Sequence, residues 1–308
     1  MDVAAKLPEH RLSEELGSRS IETNGWRATV TTKPIVSASE TDVLQKALGF
    51  PLPEMTFGNN SLRIAHAQSG WTYSFEASHA LAGVKNGELG DGDGGVKVGY
   101  ADAWLRSRTD PGSALPMPKT VPTKPYDWTY TTVYAGHTSL DSLEFVPADP
   151  SNPAHAIPLA ELTRPDPILF YAEIPLFEDE LHDNGSSHLV VRIRVMPGCI
   201  FILSRFTLRV DDVLFRTFDT RIYHSFASDP PLVVRESSGW EAPYDDVKRF
   251  LPRRNDLTPL TDANFIGTTL SSMPKSVSQG KGAGTGWRAL GTTVEVATLE
   301  KTTPTKGM

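Results

Sequence analysis

The stretch from Ser187 to Phe218 admits few folds. Leu189, Val191, Ile193 and Val195 alternate with Arg192 and Arg194, the two-residue period of a strand with one buried face. Pro197-Gly198 then turns the chain. Cys199 to Leu203 is apolar on both faces, as in a central strand covered from both sides, and Phe206, Leu208 and Val210 continue along one face. Asp211-Asp212 is a two-residue hairpin signal, because Asp tolerates positive φ better than most residues, and Val213 to Phe218 returns. A chain that gives so many consecutive residues to antiparallel pairing must build its domain around a sheet.

Further strands are predicted at Trp26 to Thr32, Ser61 to Ala67, Trp71 to Glu76, Trp128 to Tyr134, Ile168 to Leu176, Thr220 to His224 and Leu232 to Arg235. Helices are few. Ser39-Glu40-Thr41-Asp42 resembles a capping box that opens a run through Val43, Leu44, Ala47 and Leu48, which Gly49 can stop. Ala101 to Ser107 and Tyr244 to Leu251 read as short helices, the former with Asp102 and Arg106 at i,i+4. Many antiparallel strands with a few peripheral helices make an α+β class, β-dominated. No internal repeat is present.

Both ends differ from the middle. Residues 1–20 carry no strand pattern, and beyond about Ser271 the chain turns Gly-, Lys-, Ser- and Thr-rich, a composition that buries too little surface to offset its ordering entropy. The expected organisation is a mobile N-terminal tail over 1–20, one domain over 21–270 and a flexible C-terminal tail over 271–308. Trp287, Leu290, Val294, Val296 and Leu299 are the exception within that tail and could form a short linear motif or a docking strand. Asn86 to Gly95, with five glycines, and Pro111 to Pro125, with five prolines, read as internal loops.

The 308 residues carry a formal net charge of -7, which does not suit tracking a phosphate backbone, so nucleic acid is not an expected partner. A single cysteine, Cys199, excludes an internal disulfide framework and points to a reducing compartment; inside its apolar run it reads as a small buried hydrophobe. No apolar h-region opens the chain and no apolar stretch is long enough to cross a bilayer. The expectation is a soluble cytoplasmic chain, also able to enter the nucleus, with no membrane partner.

Catalytic chemistry is hard to find. The densest polar cluster is Glu178-Asp179-Glu180-Leu181-His182-Asp183-Asn184-Gly185. Its carboxylates and imidazole are usable metal ligands, and a metal-dependent enzyme built on 178–183 is one alternative. The spacing speaks against it: there is no His-x-x-x-His pair, no Cys pair and no calcium-loop alternation. Other readings are a solvated acidic loop turned by Asn184-Gly185, or a rigidly presented docking surface for a partner. Gly-x-Ser-x-Gly and phosphate-loop patterns are absent. His66, His137 and His224 lie in or beside strand patterns and read as structural. No cofactor, no metal and no catalytic residue are expected.

A resemblance supplies more. Leu176 to Gly185, Val191-Arg192-Ile193-Arg194-Val195-Met196-Pro197, Arg205-Phe206-Thr207-Leu208-Arg209-Val210-Asp211 and Asp219-Thr220-Arg221-Ile222-Tyr223-His224 closely resemble, in order and spacing, the signature region of the TIPRL (TOR signalling pathway regulator-like) family. Leu52 to Gly58 and Lys124 to Thr132 agree, and the likeness runs from about Gly25 to Arg235 without reordering. It implies two antiparallel sheets with a few helices and a surface cleft, and no catalysis. It also implies binding to catalytic subunits of type 2A-like protein phosphatases, with a link to the alpha-four-type phosphatase scaffold and to TOR signalling. An adaptor for another partner is the remaining alternative. The partner-binding candidates are the acidic loop (Glu178, Asp179, Glu180, His182, Asp183), the pair Asp219 and Arg221, and two departures from the family pattern. These are His79, where an acid is usual, and Thr217, which with Phe218 replaces a Met-polar pair. Asp212 stands where Gly is common.

Overall fold

The computed structural model describes residues 8–48, 52, 55–82, 134, 136–138, 144–163, 166–178, 185–210, 214–253, 256–262, 265–266, 268–269 and 288–299. Two antiparallel sheets organise them. In chain order the strands are β1 (Arg11–Glu15), β2 (Ser18–Thr23), β3 (Trp26–Thr31), β4 (Met55–Thr56), β5 (Ser61–His66), β6 (Thr72–Glu76), β7 (His137–Thr138), β8 (Val146–Pro147), β9 (Phe170–Glu178), β10 (Gly185–Met196), β11 (Cys199–Val210), β12 (Leu214–Ser225), β13 (Leu232–Pro243) and β14 (Arg288–Thr298). The first sheet runs β1-β2-β3-β5-β6-β7; the second runs β4-β9-β10-β11-β12-β13-β14-β8. The described helices are short: α1 (Ala38–Leu48), α2 (Ala77–Ala82), α3 (Leu159–Leu162) and α4 (Tyr244–Lys248). No described helix is long and apolar enough to cross a membrane.

The β-dominated α+β reading, with two antiparallel sheets and few helices, describes this architecture. The second sheet is a meander from β9 to β14, and its strands β10 to β13 stay in register. β10 and β11 pair from Gly185↔Val210 to Met196↔Cys199 around the Pro197-Gly198 turn, and β11 and β12 from Val210↔Leu214 to Cys199↔Ser225. Its inner face carries Ile174, Leu189, Val191, Ile193, Ile202, Phe206 and Leu208. These pack with Trp26, Val30, Leu62, Ile64, Trp71 and Phe75 of the first sheet in one core. Contacts at the sheet interface include Asn60 Nδ2 donating to the Pro175 carbonyl at 2.8 Å and Trp26 lying 5.1 Å from the His224 ring. Cys199 is buried, as its apolar run implies.

Several boundaries differ from the sequence reading. The two expected segments Val213 to Phe218 and Thr220 to His224 are one strand, because Asp219, which interrupts the apolar pattern, is neutralised by Arg205 and can sit mid-sheet. The strand expected at Leu232 to Arg235 runs on to Pro243, since the polar Glu236 and Ser238 both bond Arg221. Gly239 allows this continuation: a Cβ there would lie 2.5 Å from Phe218 Cδ2 and 2.8 Å from the Thr217 carbonyl oxygen. The box that opens α1 is Ser37 with Glu40, not Ser39 with Asp42. The Ser37 backbone N–H donates to Glu40 Oε2 at 2.8 Å, and the Glu40 N–H reaches back to Ser37 Oγ at 3.4 Å. The Ser37 hydroxyl, which donates to Glu40 Oε2 at 2.7 Å, and then the Ser37 backbone N–H hold the Glu40 carboxyl below its ordinary value.

The tails are corrected in part. Within 1–20, β1 and the start of β2 form a hairpin from Arg11↔Glu22 to Glu15↔Ser18, turned by Gly17 at φ +72°. Within 271–308, β14 pairs with β13 from Leu232↔Thr298 to Glu241↔Arg288 and buries Val296, Ala297 and Leu299. A sheet edge recruits a strand through backbone bonds, which composition does not report. The helix expected at 101–107, the loops at 86–95 and 111–125, the Asp211-Asp212 turn, Trp287 and the strand expected at 128–134, Tyr134 apart, lie outside the described residues.

Candidate functional site

The outer face of the second sheet, turned away from the first, is divided into three zones. Along β12 the residues on this face are Phe215, Thr217, Asp219, Arg221 and Tyr223, by the alternation of a strand. At one end, Phe215, Trp240 and Ala242 are covered by Tyr244, Val247, Leu251, Leu260 and Ile266. At the other, Tyr223, Val234 and Val296 are covered by Ile157, with Leu162 beside them; Glu161 Oε2 accepts from the Tyr223 hydroxyl at 3.2 Å and from Cys199 Sγ at 3.5 Å. Between the two apolar covers lies a charged ladder.

Asp219 is its centre. The register sets Arg205 of β11 and Ser238 of β13 directly beside it, and Glu236 beside Arg221. Arg205 grips the carboxylate with a fork, Nε to Oδ1 at 2.7 Å and Nη2 to Oδ2 at 2.7 Å, the strongest form of carboxylate recognition. Arg221 Nη2 adds a third bond to Oδ2 at 3.0 Å. Its Nη1 donates to Glu236 Oε1 at 3.0 Å and to Ser238 Oγ at 2.8 Å. Burial falls along this chain of contacts. Asp219 is 6% exposed, whereas the side chains of Arg221 and Glu236 are 27% and 29% exposed. The ladder therefore presents a braced guanidinium and a carboxylate to solvent, held in place by a covered Asp219. A braced cation of this kind suits an acidic or phosphorylated group or a backbone carbonyl, and loses little side-chain entropy on binding.

The predicted site residues separate. Asp219 and Arg221 share one face and are bonded, as the strand period requires. Thr217 is on the same face but only 2% exposed, beside Trp240 and Thr207, so it shapes the floor and does not reach the surface. His79 lies on α2 at the edge of the first sheet, 3.2 Å from Glu76. Glu178, partly exposed, ends β9 opposite Ser186 and Met55; Asp179, Glu180, His182 and Asp183 lie outside the described residues. Arg205, Glu236 and Ser238 were not singled out from the sequence. Their signal was cross-strand: each sits at a register position facing Asp219 or Arg221, visible only once the pairing is known.

A second polar network lies on the inner face. Arg216 is fully buried and donates from Nε and Nη2 to Glu241 Oε2 at 2.9 and 2.5 Å. Arg235 donates to Glu295 Oε2 at 2.7 Å and stacks over Phe145, 3.9 Å from the ring centroid.

The TIP41-like family description matches residues 55–248, more than half of the chain. The type 2A phosphatase activator TIP41 of Saccharomyces cerevisiae is 39% identical over 261 residues, covering 80% of this chain and 70% of that protein. This chain belongs to the TIP41-like family. The human TIP41-like protein is 39% identical over 228 residues, covering 74% and 78%, and that of Dictyostelium discoideum 35% identical over 262 residues, covering 83% and 90%. The TIP41-like family is the one the sequence blocks resemble under the name TIPRL. Its matched span contains the whole ladder from Arg205 to Ser238 and also His79 and His137; β1 to β3 and β14 lie outside it.

Proposed function

We propose that this protein is a non-catalytic regulator of type 2A protein phosphatases that acts by binding their catalytic subunits. The observation that carries the proposal is the close relation, over most of both chains, to a yeast protein named a type 2A phosphatase activator. The ladder on the outer face supplies a fitting contact. Arg221 and Glu236 are the reachable groups, and Asp219 with Arg205 sets their geometry from beneath. In this reading Asp219 is a positioning residue and Arg221 touches the partner. The acidic segment from Glu178 to Asp183 contributes a second, long-range attraction for a basic rim. The alpha-four-type scaffold would compete for or share the same phosphatase, and TOR signalling would be the pathway served, in the cytoplasm and the nucleus.

The test is capture of purified phosphatase catalytic subunit by the full chain and by Arg221→Gln and Glu236→Gln. Arg221 is partly exposed, and its loss leaves the fork between Arg205 and Asp219 intact. A loss of binding of about tenfold or more in Arg221→Gln, with an unchanged unfolding midpoint, is expected for a contact in the interface. Equal capture by parent and both variants removes the ladder from the interface; no capture by the parent removes the reading itself.

A further inference from the structure

The edge of the first sheet gathers a second set of groups, unconnected with the ladder. β6 alternates Tyr73 and Phe75 into the core, so Ser74 and Glu76 face outward. His137 of β7 pairs with Ser74 and so lies on that outward face. The chain enters α2 immediately after Glu76, and three residues on this first turn brings His79 back over the same spot. The outcome is a compact set of donors. His79 Nδ1 is 3.2 Å from Glu76 Oε2, His137 Nε2 is 3.9 Å from Glu76 Oε1, and one ligand atom from each of Glu76, His79 and His137 lies within 4.8 Å of the others.

We propose that Glu76, His79 and His137 form a binding site for a divalent transition metal, zinc being the best fit. Two imidazoles and one carboxylate are borderline ligands that suit zinc better than calcium or magnesium, which take oxygen. Bonds of about 2.0–2.1 Å in a tetrahedron separate ligand atoms by roughly 3.3 Å. The 3.2 Å separation between His79 Nδ1 and Glu76 Oε2 already meets that value, and the others need only a rotation of partly exposed side chains. Glu76 itself is anchored by pairing with Ser61.

The surroundings of His137 add an independent argument. Its Nδ1 is 2.5 Å from the Tyr134 hydroxyl, and that hydroxyl is 3.4 Å from the Ser74 carbonyl oxygen. When the hydroxyl donates to the carbonyl, it accepts from Nδ1–H. The neutral ring then presents the Nε2 lone pair toward Glu76. This is the arrangement by which metal-binding histidines are oriented: one nitrogen held by a hydrogen bond, the other left for the ion. Tyr134 is itself fixed by its ring against Phe75, 4.9 Å between centroids. Three protein ligands leave the fourth position to water or to a group brought by a partner, the arrangement of an open site. Distance along the chain hid the set from sequence reading, because His137 is separated from the other two by more than fifty residues.

The experiment uses the full chain, stripped with chelator and titrated with zinc alone by calorimetry, with Co²⁺ as a spectroscopic substitute. One zinc per chain at micromolar affinity and the visible bands of tetrahedral Co²⁺ are expected. His137→Gln and Glu76→Gln should weaken binding at least about tenfold, and Tyr134→Phe by roughly 10–100-fold through loss of the orienting bond. Circular dichroism of each metal-free variant, matched to the parent, separates a lost ligand from a lost fold; His79→Gln, at the most exposed of the three, gives a second variant least able to disturb packing. Absence of binding to the parent overturns the proposal, and so does zinc uptake that persists unchanged in His79→Gln and His137→Gln, since it would then belong to other surface histidines. Capture of phosphatase can succeed or fail independently of either result.

Discussion

Asp219→Ala tests the physical account of the ladder most directly. The substitution removes the acceptor for three charged donors: both arms of the Arg205 fork and Arg221 Nη2. Arg221 keeps Glu236 and Ser238, and its outer position gives it access to water. Arg205 is more enclosed, with its side chain 14% exposed. Breaking a buried ion pair from one side costs about 3–5 kcal/mol, because the remaining charge is left uncompensated. Partial solvation of Arg221 and residual access at Arg205 place this case toward the lower end, about 2–4 kcal/mol. For a domain of this size each kcal/mol shifts the midpoint by about 2–4 °C, so Tm should fall by roughly 5–15 °C. Asp219→Asn, which keeps shape and one acceptor, should fall between parent and Ala. The double variant Arg205→Leu/Asp219→Leu removes both charges together and should recover part of the loss. Thermal and urea unfolding of the four proteins is the assay. An Asp219→Ala midpoint within a degree of the parent, or a double variant less stable than the sum of its singles, would refute the claim that Asp219 is neutralised in the sheet. The same numbers bear on function: weaker binding by Asp219→Ala mixes a lost contact with a loosened fold, which is why Arg221→Gln is the cleaner probe.

Three further outcomes are expected. Truncation before Arg288 removes β14, leaving the edge of β13 unpaired and taking Val296 from the outer-face cluster and Leu299 from the core between the sheets; the unfolding midpoint should drop by several degrees, and an unchanged midpoint would show that β14 adds nothing to the fold. Burial lowers the pKa of His66, aided by repulsion from His224, and likewise that of His224 and His188. Their folded values lie below the unfolded one of about 6.5, so below that pH the unfolded chain takes up more protons and stability falls as pH falls, by up to about 1.4 kcal/mol per unit for each histidine; urea midpoints that stay flat between about pH 7 and pH 5 would contradict this. Replacing Glu178 and Glu180 together by Gln should slow association with the phosphatase at low salt and flatten its salt dependence, since screening shortens to about 8 Å at physiological ionic strength; identical association rates and salt slopes in stopped-flow measurements would rule out a steering role.

Much of this protein is written locally. The two-residue period between Leu189 and Val195, the Pro197-Gly198 turn and the doubly apolar Cys199 to Leu203 each state their structure in a handful of neighbouring residues, because burial on one or both faces of a strand is decided by adjacent side chains. The family blocks are legible for the same reason: they are contiguous. What only the tertiary structure decided depends on residues far apart in the chain. Arg205, Asp219, Arg221, Glu236 and Ser238 become one network through the β11–β12 and β12–β13 registers, and a shift of one residue in either register would put them on opposite faces. Glu76, His79 and His137 meet because β7 docks beside β6. The terminal strands β1 and β14 carry weak apolar patterns of their own and are held by a sheet edge supplied from elsewhere. Sequence states which residues want to be buried or charged; only the pairing of distant strands sets which charges neutralise one another and which remain facing solvent.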